Sequence, residues 1–227
     1  MKFDDMKIST RLMLGFGILG LLTALLGGVS QIKVGAINAL FNQVIGERVP
    51  RMAAVNVIKD DVNAIAIALR NIIITSDSAV IQKESARVDE SRKRIAGQLD
   101  ALSAQISSPE GRALLSKVIE MRKAYDPLQA EALELAVGGQ VFDAKAMLVE
   151  KVAPAQRTYF DALDGLLRYQ DTLLKESTES TQQAVDSLGY LIGSTVLAAL
   201  ALGALLSTLI IRSITRPINQ AVEISTT

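Results

Sequence analysis

Two uninterrupted apolar runs bracket the chain, one from Leu12 to Val29 and one from Leu188 to Ile211. A helix needs roughly 20 apolar residues to cross the hydrocarbon core of a bilayer, and neither run contains a charged side chain. We therefore predict two membrane-spanning helices, at residues 12–30 and 188–211. The first run is longer than the apolar stretch of a signal peptide and has no clear small-residue cleavage site, so an uncleaved anchor is favoured.

Basic residues flank both runs on their outer sides. Three precede the first run and two follow the second: Lys2, Lys7, Arg11, Arg212 and Arg216. An excess of Lys and Arg marks the cytoplasmic side of a membrane protein. Residues 1–11 and 212–227 are therefore expected in the cytoplasm, and residues 31–187 outside it.

Composition narrows the chemistry that the chain can support. It has no Cys, no His and no Trp, and 24 acidic residues balance 24 basic ones. The usual ligands of zinc and haem and the commonest general base are thus missing. A net charge of zero gives no electrostatic case for binding nucleic acid. No catalytic constellation is recognisable, so we expect a protein that is not an enzyme and has no cofactor or metal.

Helical periodicity dominates residues 31–187. Apolar residues recur at alternating steps of three and four from Val34 to Ile72, which predicts a long helix packed along one face. Thr75–Ser78 is a cluster of turn and capping residues, and a second helix follows it up to Ser107–Gly111. A third helix, kinked at Pro127, is expected to end at Val137–Gly139.

The fourth helix is expected to begin at Pro154, because proline favours the first turn of a helix. A short helical piece from Val141 to Lys151 precedes it. No strand pattern is present in the sequence. The fold class predicted is all-α: an up-down antiparallel four-helix bundle over residues 31–187, with helices one and four continuous with the two membrane helices.

The order of three short motifs suggests a family. They are Met6-Lys7-Ile8-Ser9-Thr10-Arg11-Leu12, Arg70-Asn71-Ile72-Ile73-Ile74 and Arg216-Pro217-Ile218. With the two apolar runs, the chain resembles the N-terminal half of a bacterial methyl-accepting chemotaxis protein with a four-helix-bundle sensor. The resemblance implies a homodimer in the inner membrane with its sensor in the periplasm, and makes residues 212–227 the start of a HAMP linker. The methylated region, which acts on a cytoplasmic kinase and adaptor, would follow Thr227.

The same resemblance suggests where a ligand binds. The amino-acid sensors of this family hold their ligand between subunits, with arginines of the first helix and the start of the fourth. Arg70 matches the last of those arginines, whereas the two earlier positions carry Asp61 and Ala66. The family's Pro-Thr-Gln appears here as Pro154-Ala155-Gln156. An arginine among apolar neighbours also needs an anionic partner, because an unpaired guanidinium is costly to desolvate.

The candidate ligand-binding residues are Arg70, Thr75, Arg157 and Thr158. Arginines bind carboxylates with two parallel hydrogen bonds, which favours an organic acid or an amino acid as the ligand. Each residue also has a structural alternative. Arg70 would pair with Glu84 or Asp77, Arg157 would pair with Glu150 or Asp161, and Thr75 would cap a helix end.

The sequence contains three further features whose functional meaning is weaker. Arg48 and Arg51 interrupt the apolar pattern around Pro50. They either bind a ligand or pair with acidic residues of helix four such as Glu176 and Glu179. Asp60-Asp61 is interpreted as a solvated helix face. Glycines 189 and 193 form a small-xxx-small pattern that could pack membrane helices together.

Two other functions remain open. The same input architecture can serve a sensor histidine kinase or a cyclic-dinucleotide enzyme. A membrane-tethered helical scaffold that senses nothing is the third interpretation.

Overall fold

The computed structural model describes residues 8–211, and within that range the chain is helical apart from short turns. Six α-helices follow one another, and two π-helical turns lie between them. The helices are α1 (Ile8–Gln43), α2 (Val49–Ile74), α3 (Ser78–Gln105), α4 (Pro109–Val137), α5 (Val141–Met147) and α6 (Ala153–Ile210); the π-helical turns are Val44–Arg48 and Leu148–Val152. The N-terminal motif up to Lys7 and the predicted HAMP start at 212–227 lie outside the described residues.

The chain divides into two compact units. Residues 42–178 form the bundle unit, and the described residues 8–41 and 179–211 form the apolar unit. The bundle unit contains α2 to α5, the π-helical turns and the first part of α6. The predicted all-α four-helix architecture is confirmed, with α2, α3, α4 and the run from α5 into α6 as its four rods.

In the apolar unit, the two predicted spans are helical. Between residues 8 and 211, two helices are long and apolar enough to cross a membrane, and almost none of the residues in their most apolar stretches are buried. A Cβ added to Gly15 would lie 3.3 Å from Leu206 Cδ1, so the two helices pack closely at that point. A Cβ at Gly189 or Gly193 would meet nothing within 4 Å, so this glycine pattern takes no part in packing within the described chain.

The core of the bundle unit follows the predicted apolar positions. Each helix contributes the face that its three–four spacing marks, and the side chains at these positions are almost completely buried. The largest apolar members are Val55, Ile58, Val62, Ile65, Leu69, Ile72, Val88, Ile95, Leu99, Leu102, Leu115, Val118, Tyr125, Tyr159, Leu163 and Leu166. A smaller cluster of Ile72, Ile73, Ala136 and Ala144 closes one end. We call this end, which carries the connections at 75–77 and 138–140, the tip, and the opposite end at 106–108 the base.

The helices are separated by short turns where the sequence predicted them, and a side-chain cap begins each of the helices α3 and α4. The Asp77 carboxylate accepts a hydrogen bond from the Ala79 N–H and starts α3, and the Ser108 hydroxyl accepts one from the Gly111 N–H and starts α4. These side chains satisfy N–H groups that have no partner in the first turn of a helix. After α4, Gly139 adopts a φ of 76°, a backbone conformation that glycine enters without steric cost.

Pro154 lies in the first turn of α6, as predicted, but no break separates α6 from the helical piece before it. The chain is already helical from Val141, and it passes through the π-helical turn Leu148–Val152 into α6. Pro50 follows the other π-helical turn in the same way, two residues after its end. A proline lacks an N–H and its ring clashes with the carbonyl four residues earlier, so a wider turn before it lets the helix continue. Pro127 lies inside α4, which is α-helical on both sides of it.

Candidate ligand-binding site

Arg70 lies near the C-terminal end of α2, at the tip, with its side chain exposed. It makes no ion pair or hydrogen bond with any described residue, so the alternative pairings are not realised. Glu84 instead accepts a hydrogen bond from the Asn71 amide at 3.0 Å, and Asp77 caps α3. The guanidinium of Arg70 is therefore free to meet an anion from outside the protomer.

The apolar surroundings expected for Arg70 are only partly at the surface. Ala66 and Ile73 are buried in the bundle, at 2% and 4% exposure, whereas Ile67 and Ile74 are 46% and 78% exposed. Arg70 is thus flanked on its own helix by two exposed isoleucines, one turn before it and one turn after it. Such a surface suits a partner that covers the isoleucines and supplies a negative charge.

The exposed residues of α2 follow a regular spacing. Between positions 53 and 74 they are Ala53, Asn56, Asp60, Asn63, Ile67, Arg70 and Ile74. Their steps alternate between three and four, which is the heptad spacing along which two helices pack side by side. We call this set the α2 stripe. It is the one face of α2 in this range that the bundle leaves open.

Thr75 is a structural residue. It occupies the C-cap position of α2 with an extended backbone, and its hydroxyl accepts a hydrogen bond from the Asp77 N–H at 3.2 Å. The hydroxyl thus helps to fix the turn between α2 and α3. This arrangement agrees with the helix-end alternative from the sequence, and a ligand contact by Thr75 stays a prediction.

Arg157 and Thr158 lie in the first turns of α6, and both are exposed. Arg157 makes no ion pair with Glu150, Asp161 or any other described residue. The Thr158 hydroxyl donates to the Pro154 carbonyl of its own helix at 3.2 Å. No hydrogen bond or ion pair between residues 8 and 211 joins the four candidate residues to one another.

A layer of buried polar side chains lies inside the bundle, and sequence reasoning missed it. The rings of Tyr125 and Tyr159 are 5.8 Å apart and tilted by 36°, and each residue is only 1% exposed. Neither hydroxyl has a hydrogen-bond partner in the part of the chain that the structure describes. Burial raises the pKa of both phenols above its ordinary value, and the positive charges of Arg92 and Arg70 oppose this rise at Tyr125.

Gln129 belongs to the same layer and links it to α3. Its side-chain oxygen accepts two hydrogen bonds from Arg92, at 2.9 and 2.6 Å, while its buried Nε2 has no partner. Buried polar groups without partners cost stability, so they are weak points at which helix packing can change. The apolar spacing around Tyr125 and Gln129 predicted which face of the helix is buried. It could not show that polar atoms on this face would lack hydrogen-bond partners.

The interpretation of Asp61 as solvated is wrong. Asp61 is 5% exposed, and the Arg94 guanidinium binds its carboxylate at 2.6 Å and at two distances of 3.1 Å. This hydrogen bond raises the pKa of Arg94. The ion pair fixes α3 against α2 below the tip. Asp61 and Ala66, which occupy the two earlier arginine positions of the resembled family, are therefore both turned into the bundle.

Acidic residues surround another part of the tip. A concavity of about 400 Å³ beside the end of α4 is lined by Glu131, Glu134 and Gln140, among others. Its negative charge does not suit a carboxylate ligand. No group of three His, Cys, Asp or Glu side chains able to hold a metal ion occurs within residues 8–211. Exposed lysines such as Lys83 and Lys145 also lie near the tip, but the guanidiniums of Arg70 and Arg157 can bind a carboxylate with two parallel hydrogen bonds, which makes them the better candidates for binding an anion.

A comparison with protein families identifies the architecture. The model of the four-helix-bundle sensory module for signal transduction matches residues 5–185, which is most of the chain. The chain belongs to this family. The resemblance to the N-terminal sensor region of a methyl-accepting chemotaxis protein is thereby confirmed. The sensory module belongs to signal transduction, and its family is not one of enzymes. No curated protein matches the chain.

Proposed function

We propose that this sensory module is the input half of a transmembrane chemoreceptor that binds a small organic acid or amino acid outside the cytoplasm. The family supports a sensory role, and two apolar helices support placement in a membrane. The observation that carries the ligand class is Arg70, an unpaired guanidinium between two exposed isoleucines. The basic flanks of the apolar runs support a periplasmic bundle with both termini in the cytoplasm.

The receptor works as a homodimer in this proposal, with the α2 stripes of two protomers facing each other across a twofold axis. Their heptad spacing and the exposure of Ile67 and Ile74 support such pairing. A twofold axis along the stripe brings the two Arg70 side chains toward each other. Two like charges repel, so an anion between them lowers the energy of the paired state.

The ligand then shifts the packing of the dimer. A carboxylate bridges the two Arg70 guanidiniums, and Arg157 with Thr158 contacts it from the start of α6. Such binding favours one of two helix packings in proportion to the difference in its affinity for them. The signal passes along α6, which is α-helical from Ala153 to Ile210, into the HAMP linker and on to a cytoplasmic kinase and adaptor. The unsatisfied layer at Tyr125, Gln129 and Tyr159 makes a change of packing less costly.

Calorimetry with the chain in lipid nanodiscs tests the ligand site. We expect heat from at least one member of a panel of amino acids and small carboxylates, and a loss of affinity of about tenfold or more on substitution Arg70→Ala. Arg87→Ala is the matched control, because Arg87 is half exposed on α3 and its one ion pair with a described residue, Glu84, is long at 3.7 Å. No heat from any compound would favour a scaffold over a sensor. Equal affinity for the Arg70→Ala variant would remove Arg70 from the site.

Cysteine labelling tests the topology. The chain has no cysteine, so a single Phe142→Cys substitution introduces one thiol, at a position that is 85% exposed in the bundle unit. A membrane-impermeant maleimide should label it in spheroplasts without lysis. Labelling that requires lysis would place the bundle in the cytoplasm and contradict the proposal.

A further inference from the structure

The base of the bundle contains a second cavity, far along α2 from the tip. Its volume is about 200 Å³, and its polar lining consists of Gln43, Glu47, Arg48, Arg51, Ser107, Ser108, Tyr169 and Gln170. Pockets for drug-sized ligands begin at roughly 300 Å³, so this cavity has room only for a small molecule. Arg48 and Arg51 enter it from the two sides of Pro50.

The lining of the cavity carries a net positive charge because it contains two arginines. Arg51 pairs with Glu47 on its own helix at 2.9 Å, rather than with a helix-four acid such as Glu176. Arg48 has no acidic partner among the described residues. The Nε atoms of both arginines are buried and donate to nothing within the described chain. Two cations and one carboxylate leave a net charge of about +1, and two buried donors have no acceptor.

Further polar groups complete the lining. Ser108 caps the N-terminus of α4, whose helix dipole also favours a negative charge nearby. Its hydroxyl is hydrogen-bonded to the Tyr169 hydroxyl at 3.0 Å. Gln170 is 1% exposed, and its Oε1 atom has no partner. The cavity therefore offers buried donors for an anion together with one buried acceptor.

We infer that this cavity binds a small monoanionic carboxylate that carries a hydroxyl group. The carboxylate takes the free donors of Arg48 and Arg51, and the ligand hydroxyl donates to Gln170 Oε1. One negative charge matches the net charge of the lining, and the limited volume excludes larger acids. The site is separate from the one proposed at Arg70, and it does not depend on a partner subunit.

Calorimetry with L-lactate as the probe tests this site in the full chain in nanodiscs. Propionate has a similar size and the same charge but lacks the hydroxyl, so we expect it to bind several-fold more weakly. Arg48→Gln should weaken lactate binding by about tenfold or more. Arg168→Gln is the matched control, because Arg168 is exposed on α6 two positions from Gln170 and does not line the cavity. It should leave the affinity unchanged.

A second variant tests the acceptor independently of the charge. Gln170→Met keeps the volume and removes Oε1, so it should abolish the preference for lactate over propionate and still bind both. Thermal unfolding verifies that each variant is folded. If Arg48→Gln does not fold, the loss of preference in Gln170→Met decides the question.

Three results would overturn the inference. They are the absence of lactate binding at millimolar concentrations, an unchanged affinity in Arg48→Gln, and an equal loss in Arg168→Gln. Arg70→Ala separates the two sites, because it should not affect lactate binding at the base. A loss in Arg70→Ala with none in Arg48→Gln would assign the heat to the tip and remove the base site.

Discussion

Replacing the two buried tyrosines by phenylalanine should stabilise the bundle. Tyr125 and Tyr159 are each 1% exposed, and neither hydroxyl has a hydrogen-bond partner within residues 8–211. Leaving a buried hydroxyl unsatisfied costs about 1–3 kcal/mol. Phenylalanine keeps the ring packing and removes this cost, so each substitution should raise the free energy of unfolding by about 1 kcal/mol at neutral pH.

The same pair predicts a loss of stability at alkaline pH. Burial raises the pKa of both phenols in the fold, whereas in the unfolded chain it stays near its ordinary value of 10.0. Above pH 10 the unfolded state therefore binds fewer protons than the folded state, and the free energy of unfolding falls as pH rises. The expected slope is up to about 1.4 kcal/mol per pH unit for each tyrosine, with no contribution below pH 9. Tyr125→Phe and Tyr159→Phe should each remove their share of it.

Urea unfolding of the chain in nanodiscs, followed by circular dichroism from pH 7 to pH 11, measures both effects. The other two tyrosines are controls. Tyr169→Phe loses the hydrogen bond to Ser108 and should destabilise the bundle by about 1 kcal/mol, and Tyr190→Phe, at 80% exposure, should change little. Destabilisation by Tyr125→Phe or Tyr159→Phe, or an alkaline slope that survives both, would refute the reasoning.

Four further substitutions test the packing and the caps, with urea unfolding as the measurement throughout. Gly111→Ala should cost about 1–3 kcal/mol, because its Cβ would lie 2.7 Å from Ile106 Cγ2; a neutral result would mean that the turn at the base is looser than described. Gly97→Ala, in an open helix interior, should instead gain about 1 kcal/mol, and a loss there would reveal a contact that the structure lacks. Gly139→Ala should cost about 1 kcal/mol at its φ of 76°. Asp77→Ala should cost about 1 kcal/mol through loss of the α3 cap, and unchanged stability would count against that hydrogen bond.

Local periodicity accounts for what could be predicted from the sequence. A three–four spacing fixes which face of a helix is apolar, so positions such as Val62 and Leu163 could be assigned to the core without any knowledge of their partners. Capping residues act within four residues of the helix end, which explains why the turns at Asp77 and Ser108 were correctly placed. The length of an apolar run alone indicates a membrane span.

The errors concern properties that depend on distant parts of the chain. Asp61 is buried because Arg94, 33 residues away in sequence, supplies its counter-charge, and no local pattern contains that pairing. Pro154 begins α6 as predicted, but the local sequence did not show that a π-helical turn, and no break, precedes it. Arg48 and Arg51 interrupt an apolar pattern, but only the fold brings Gln170 beside them. The sequence signal was an arginine at a position where the pattern calls for an apolar residue. This signal marked the position of the arginine but did not show which distant residues lie beside it.

Disulfide crosslinking in native membranes is the most direct test of a paired receptor with Arg70 at its α2 interface. The chain has no cysteine, so Ile67→Cys, on the α2 stripe, introduces one reporter, and Ala86→Cys, exposed on α3, is the control. Under mild oxidation we expect Ile67→Cys to form a covalent dimer rapidly and Ala86→Cys to remain largely monomeric. Dimer formation that is no faster at Ile67→Cys than at Ala86→Cys would contradict a shared α2 interface and, with it, a ligand held between two Arg70 side chains.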